Sequence, residues 1–277
     1  MSYAGVRAVI FDVDGVLLDA RASYHAVAEE AARRAVQEVL GRIDAPFDRA
    51  VEVPRFKSAG RFNDDWEMAR GIALVLHLRQ VGKAPALDDF LSRAQGRGVD
   101  GLAAAFPDVA SRYPQTRLSR LCGAPYGGSS RCRELFGFEA TEALHDAREE
   151  GFWELETKLV EPALLRRVAR GFPIGIYTGR NPGEAALALV RCELQVPREL
   201  CWVADGRPRK PDPTGLEFLC EKLVSGSSEA LFVGDTADDE EAARAARARG
   251  APLVYAHVAA PGDTTRVLER LLAETGA

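Results

Sequence analysis

The stretch that most constrains this chain is Ala8-Val9-Ile10-Phe11-Asp12-Val13-Asp14-Gly15-Val16. A short apolar run stops at two carboxylates spaced i, i+2, followed by a glycine. The run lacks the polar–apolar alternation of a half-exposed strand, so it reads as a strand buried in a parallel sheet. In extended backbone, residues i and i+2 point the same way. Asp12 and Asp14 therefore face one small volume just past the strand's C-terminal end, the edge at which open α/β sheets bind ligands. Two carboxylates that close repel unless a cation or a shared proton compensates. A hard cation with oxygen ligands, Mg²⁺ first among them, is the simplest answer. Gly15 gives the chain its sharp turn behind the pair. An isolated D-x-D-G also suits an ordinary turn and cap, so the rest of the chain must decide.

From Glu161 onward the pattern is an alternation. A helix begins at Pro162 and runs to Arg170, and a strand covers 174–177. Asn181-Pro182-Gly183-Glu184 caps the next helix, with Asn at the cap, Pro at the first position and Glu at the third. Strands follow at 200–203, 230–233 and 253–256. The helices between and after them begin at Asp212-Pro213, Asp238 and Thr264. Strands alternating with helices of that length predict an α/β fold, a doubly wound parallel sheet. The first strand joins that sheet.

The intervening block reads as all-helical. A helix spans 24–40 and ends at Gly41, and 45–61 is irregular around Pro46 and Pro54. Asn63 caps a helix to about Val81. Two shorter pieces cross 85–105, a further one covers 108–121 with a break at Pro114, and 122–130 is a loop. The expected organisation is a core of residues 1–19 and 159–277, with a helical cap, 20–158, inserted after the first strand.

Lys and Arg total 36 against 41 Asp and Glu, a net charge of −5, which argues against a general nucleic-acid binder. The longest apolar run, 71–78, falls far short of the ~20 residues of a membrane span. The first strand follows almost directly on the N-terminus, so no signal peptide is expected. Five cysteines without a C-x-x-C pair read as reduced, mostly buried thiols of a cytoplasmic protein. His25, His77, His145 and His257 make no metal-ligand spacing.

Three further strand ends carry polar groups. Thr178-Gly179-Arg180 offers a hydroxyl and a glycine N–H that a ligand can approach closely. Arg209-Lys210-Pro211-Asp212-Pro213 offers a cation. Gly234-Asp235-Thr236-Ala237-Asp238-Asp239 offers carboxylates. Gathered at one sheet edge, carboxylates, donors and a fixed cation suit an anion with several oxygens, such as a phosphoryl group. Each has a bland reading as well: Thr178 as a turn residue, Lys210 as a surface lysine, Thr236 with Asp239 as a helix-capping pair. Their succession at successive strand ends is what chance does not readily supply.

With these motifs the chain resembles the haloacid dehalogenase superfamily of hydrolases, in a phosphoglycolate-phosphatase-like form with a helical cap after the first strand. The resemblance is specific over 2–19 and 160–277 and weaker in the cap, where 57–66 carries it. It implies that Asp12 is the nucleophile, forming an aspartyl-phosphate. Asp14 is then general acid for the leaving alcohol and general base for the hydrolytic water. Thr178 and the Gly179 N–H hold phosphoryl oxygens, and Lys210 stabilises the charge on Asp12 and the phosphoryl group. Asp235 binds Mg²⁺ with Asp12 and the backbone carbonyl of Asp14. Asp239 supports the metal, with Asp238 as its neighbouring alternative. Asp14 is absent from the metal-independent dehalogenase branch, so its presence points to phosphoryl chemistry, and the ATPase branch carries Thr at that position.

In the cap, Lys57, Arg61, Asn63 and Asp65 lie beside Phe56, Phe62 and Trp66. They read either as a substrate-specificity face, with Lys57 and Arg61 as contacts, or as an amphipathic helix start over the cap's own core. A closing motion would hinge near 19–23 and 158–162. Gly96-Arg97-Gly98-Val99-Asp100-Gly101 matches G-x-G-x-x-G but follows a polar helical stretch, not a strand, so a dinucleotide site is not expected. The reading is a Mg²⁺-dependent phosphatase for a small phosphorylated metabolite, a monomer or homodimer without nucleic-acid or membrane partners. A phosphomutase, or a non-catalytic binding protein on the same fold, is the alternative.

Overall fold

In the computed structural model, residues 2–60, 62 and 64–277 are described. Among them the strands are β1 (Val6–Phe11), β2 (Leu18–Asp19), β3 (Thr157–Lys158), β4 (Ile174–Tyr177), β5 (Cys201–Trp202), β6 (Glu229–Gly234) and β7 (Leu253–His257). Five of them form one sheet in the order β5-β4-β1-β6-β7, every pairing parallel. β1 is central, with Phe11 level with Ile176 of β4 and Val233 of β6. Its residues alternate between two cores. Val9 and Phe11 join Leu165, Val168, Ala185, Ala188, Leu268 and Leu271 from helices Pro162–Gly171, Pro182–Arg191 and Asp263–Thr275. Ala8 and Ile10 join Leu216, Leu219, Ala242 and Ala246 from helices Thr214–Leu223 and Ala237–Ala248. Helices therefore cover both faces, which is why β1 is apolar and buried without a break from Ala8 to Phe11. The sheet is the doubly wound one that the alternation predicts.

The chain divides into two compact units, Met1–Ala20 with Thr157–Ala277, and Arg21–Glu156. In the first, β2 and β3 make a short antiparallel ribbon, Leu18 opposite Lys158 and Asp19 opposite Thr157. Both passages of the chain to the second unit leave from the end of this ribbon.

The second unit is helical, and several local expectations change there. Residues 122–130 are not a loop. They lie inside a helix, Gln115–Phe136, kinked at Gly128, where φ is +63°. Leu121, Cys122, Ala124 and Tyr126 are fully buried there, and this tertiary burial overrides the Gly/Pro/Ser composition. The stretch 45–61 is likewise not all irregular, because helix Arg49–Ser58 runs through Pro54. Asp48 caps it, accepting from the N–H groups of Ala50 and Val51, and Val53 and Phe56 anchor it from beneath. Helix Asp65–Gln80 is capped by Asp64, which accepts from Trp66 and Glu67 N–H. The expected cap, Asn63, lies outside the described residues, as does Arg61. Phe56 and Phe62 are buried edge-to-face at 5.4 Å, and Trp66 packs on Phe136 at 5.1 Å. These rings belong to the unit's own core. Gly98 opens helix Gly98–Ala105 and is preceded by helix Leu87–Ser92, so the G-x-G-x-x-G stretch lacks a strand. All five cysteines are free and buried. No described helix is long and apolar enough to cross a membrane.

Candidate active site

Four loops leave the C-terminal edge of the sheet, and each contributes one part of the site. After β1, Asp12 is pinned from both sides. Its N–H donates to the Val233 carbonyl at 3.0 Å, and its Oδ1 accepts from Val13 N–H at 2.7 Å. Its carboxylate is buried, and burial raises its pKa well above the ordinary carboxylate value. Lys210 opposes that rise, while Asp239, Asp235 and Asp14 add to it.

After β5, Lys210 reaches the same volume. Its Nζ lies 2.9 Å from Asp12 Oδ1 and 2.6 Å from Asp239 Oδ1. Burial works against its charge, but the Asp12 and Asp239 carboxylates outweigh burial and hold the ammonium protonated. The rings of Tyr177 and Phe232 lie 5.0 and 5.8 Å from Nζ, a cation–π floor. The Tyr177 hydroxyl donates to the Asp212 carbonyl at 2.6 Å and so steadies the lysine's loop.

After β6, Asp239 serves two purposes. Its Oδ2 accepts from Thr236 N–H and Oγ1 in a capping box, while its Oδ1 faces Lys210. Asp239 thus caps its helix with one oxygen and meets Lys210 with the other. Asp235 is half-buried. Its Oδ1 is shielded from solvent with no hydrogen-bond partner among the described residues. Burial, with Asp239 beside it, pushes its pKa up to about 7, against the opposing Lys210.

Asp12, Asp235 and Asp239 each present one carboxylate oxygen within 4.8 Å of the others. Three carboxylates against one ammonium leave a formal excess of two negative charges. An orphaned buried carboxylate oxygen and an all-oxygen donor set fit a hard divalent cation. Asp238 is half-buried and outside this cluster. Gly15 has φ +71°, and a Cβ there would lie 2.0 Å from Asp235 Oδ2, so only glycine brings these two loops so close.

Thr178 and Gly179 follow β4. Thr178 is buried and its N–H donates to the Trp202 carbonyl at 3.0 Å. Gly179 is exposed, and a Cβ there would meet nothing within 4 Å, so open space lies beside its backbone. Asp14 is oriented by a residue to which the sequence assigned no role. Arg180 donates from Nε to both Asp14 oxygens at 3.2 Å and from Nη2 to Oδ1 at 2.6 Å. The carboxylate of Asp14 is outside the three-acid cluster. Nothing in the sequence marks Arg180 beyond its place directly after Thr178-Gly179. Lys57, in the helical unit, is partly exposed and ion-paired to Asp65 at 3.0 Å.

A model of the haloacid dehalogenase-like hydrolase family matches residues 6–247, and the chain belongs to that family. Over 80 residues it is 35% identical to "Phosphoglycolate phosphatase 1" of Pseudomonas aeruginosa, which is 28% of this chain and 29% of that protein. It is 34% identical over 80 residues to "Probable phosphoglycolate phosphatase" of Pseudomonas savastanoi, again 28% of this chain and 50% of that protein. The matched stretch thus spans half or less of each relative. The structure of phosphatase Tt82 from Thermococcus thioreducens superposes with a TM-score of 0.72, covering 94% of this chain and 98% of that one at 22% identity. That likeness concerns the fold: a Rossmann-like core with a helical insertion.

Proposed function

We propose that the protein is a Mg²⁺-dependent phosphatase that hydrolyses a small phosphate monoester through an aspartyl-phosphate. The observation that supports this best is the contact of Lys210 Nζ with Asp12, beside the three-acid cluster at the sheet edge. Asp12 is the nucleophile: one oxygen attacks phosphorus, and the bond from phosphorus to the leaving oxygen breaks. Asp14 gives that oxygen its proton. In the second half, Asp14 takes a proton from water, the water oxygen attacks phosphorus, and the Asp12–phosphorus bond breaks to release phosphate. Asp14 thereby recovers the proton it gave. Lys210, held charged by two carboxylates, offsets the negative charge on Asp12 and on the phosphoryl oxygens. Thr178 and the Gly179 N–H hold those oxygens.

Asp12, Asp235 and Asp239 would hold the Mg²⁺, with Asp14 contributing through its carbonyl. The ion supplies charge neutralisation between nucleophile and phosphoryl group. Asp239 Oδ1 already faces Lys210, so its part is to support the site through that lysine or through water. Phosphoglycolate, the substrate in the names of the two Pseudomonas relatives, belongs among the candidate monoesters. Lys57 and Arg61 are the candidate contacts for the rest of the substrate.

The test is phosphate release from a panel of sugar phosphates, phosphoglycolate, nucleotides and amino-alcohol phosphates, with Mg²⁺ and with chelator. Asp12→Asn removes the nucleophile and is expected to abolish release while leaving the circular dichroism spectrum unchanged. Turnover by Asp12→Asn at the wild-type rate would refute the assignment. Transfer of phosphate between positions of one sugar, without release, would establish the mutase.

A further inference from the structure

We infer that Arg180 is the positioning residue of Asp14, holding the carboxylate that transfers protons while taking no part in metal or phosphoryl binding itself. This rests on the phosphatase reading. The two partners differ sharply in burial: the Arg180 side chain is 1% exposed and that of Asp14 39%. The arginine is therefore the fixed partner and the aspartate the one that needs fixing. A planar guanidinium that donates through Nε and Nη2 restricts both the position and the plane of a carboxylate, which a lysine cannot do.

Arg180 is itself anchored through its backbone. Its N–H donates to Thr178 Oγ1 at 3.3 Å, and its carbonyl accepts from Ala204 N–H at 2.9 Å. The residue after it, Asn181, caps helix Pro182–Arg191 in a reciprocal box with Glu184. One residue thus ties the loop after β1, through its side chain, and the loop after β5, through its carbonyl, to the loop after β4. The carboxylate of Asp14, by contrast, is partly exposed and lies outside the acid cluster around Lys210. Proton transfer needs the donor within hydrogen-bond reach of the leaving oxygen, and a misplacement of ~1 Å can cost on the order of 100-fold.

The test compares Arg180→Met, Arg180→Lys, Asp14→Asn and the double variant Asp14→Asn/Arg180→Met, with Asp12→Asn as the inactive control. Two substrates are used: p-nitrophenyl phosphate, whose leaving group needs little protonation, and an alkyl phosphate from the panel, whose leaving group needs it. Arg180→Met is expected to lower kcat/KM on the alkyl phosphate by roughly 100-fold and on the aryl phosphate by roughly tenfold less. Arg180→Lys restores only part of the loss. In the Asp14→Asn background, Arg180→Met costs less than about threefold more, because a positioning residue has nothing left to position.

Equal losses on both substrates, or a double variant whose losses multiply, would overturn the inference in favour of a structural role. Crystal structures of the wild type and Arg180→Met separate this from the phosphatase reading. If the wild type hydrolyses nothing, that reading fails. Asp14 would then decide alone: a carboxylate that keeps its place without Arg180 overturns the inference, and one that swings away sustains it.

Discussion

The two units put their ionisable groups to opposite uses. In the α/β unit, Asp12, Asp235, Asp239 and Lys210 are crowded at one edge, and burial raises the pKa of both Asp12 and Asp235. In the helical unit three buried polar residues sit in closed pairs: Glu52 with Arg79 at 2.7 Å, Glu156 accepting from the Tyr126 hydroxyl at 2.8 Å, His77 with Tyr113 at 2.7 Å. Paired groups stabilise a fold. Like charges gathered without enough counter-charge destabilise it and persist where a ligand supplies the balance. The difference sets the acid cluster of the first unit apart independently of any motif.

The sharpest way to break this comparison is Gly15→Ala. The added methyl must displace Asp235, so metal-dependent phosphate release should fall by about 100-fold or more, as misplacement of a catalytic group does. Gly179→Ala, with open space around it, should leave the melting temperature unchanged within a degree or two. If Gly15→Ala kept full activity and metal affinity, the close approach of the two loops would be irrelevant to the site.

The next contrast is in pH. Asp235 has a folded-state pKa of about 7 against 3.8 unfolded, so the folded form binds the extra proton and metal-free protein loses stability as pH rises from about 4 to 7. Asp235→Asn should therefore stabilise metal-free protein at pH 8 by on the order of 2–4 kcal/mol, a gain that vanishes near pH 4. Saturating Mg²⁺ should reverse the ranking by stabilising only the wild type. His77 works the other way. Burial, with Arg112 nearby, lowers its pKa below 6.5, so its contribution is intact above that pH and lost as pH falls through the folded value. Hydrogen exchange between pH 5 and 8 should show acid loosening the helical unit while it tightens the metal-free sheet edge; parallel responses would contradict the contrast.

Smaller effects sharpen it further. Asp48→Ala removes a helix cap and should cost about 1 kcal/mol in denaturant unfolding without changing kcat. Lys57→Met should cost well under ~1 kcal/mol, the worth of a partly exposed ion pair. A rise in KM much beyond that equivalent would give Lys57 the substrate contact proposed for it.

What could be read from sequence divides along the same line. In the α/β unit, apolar runs end where the hydrogen-bond ladder ends, so Asp12, Thr178 and Asp235 stand out as polar residues just past the strands. Lys210 is visible only by its order among them. Arg180 is invisible because a single arginine after a turn carries no mark of being buried. In the helical unit, local composition misleads. Gly123, Pro125, Gly127 and Gly128 look like a loop, yet Cys122, Ala124 and Tyr126 bury enough surface to keep the chain helical up to Gly128. Pro54 looks like a break, yet Asp48 and Phe56 hold its helix from either side. Secondary structure follows local pattern where a ladder fixes it and follows tertiary burial where it does not.

The buried thiols extend the contrast into time. Cys122 and Cys132 belong to the helical unit, and Cys192, Cys201 and Cys220 to the other. Burial pushes Cys132 and Cys220 up to about 12, so neither offers appreciable thiolate to an alkylating reagent while its surroundings stay closed. Each cysteine then reacts at the rate at which its own neighbourhood opens. The unlabelled wild-type chain thus carries a separate clock in each half, and mass spectrometry of partly alkylated protein would read which half breathes first.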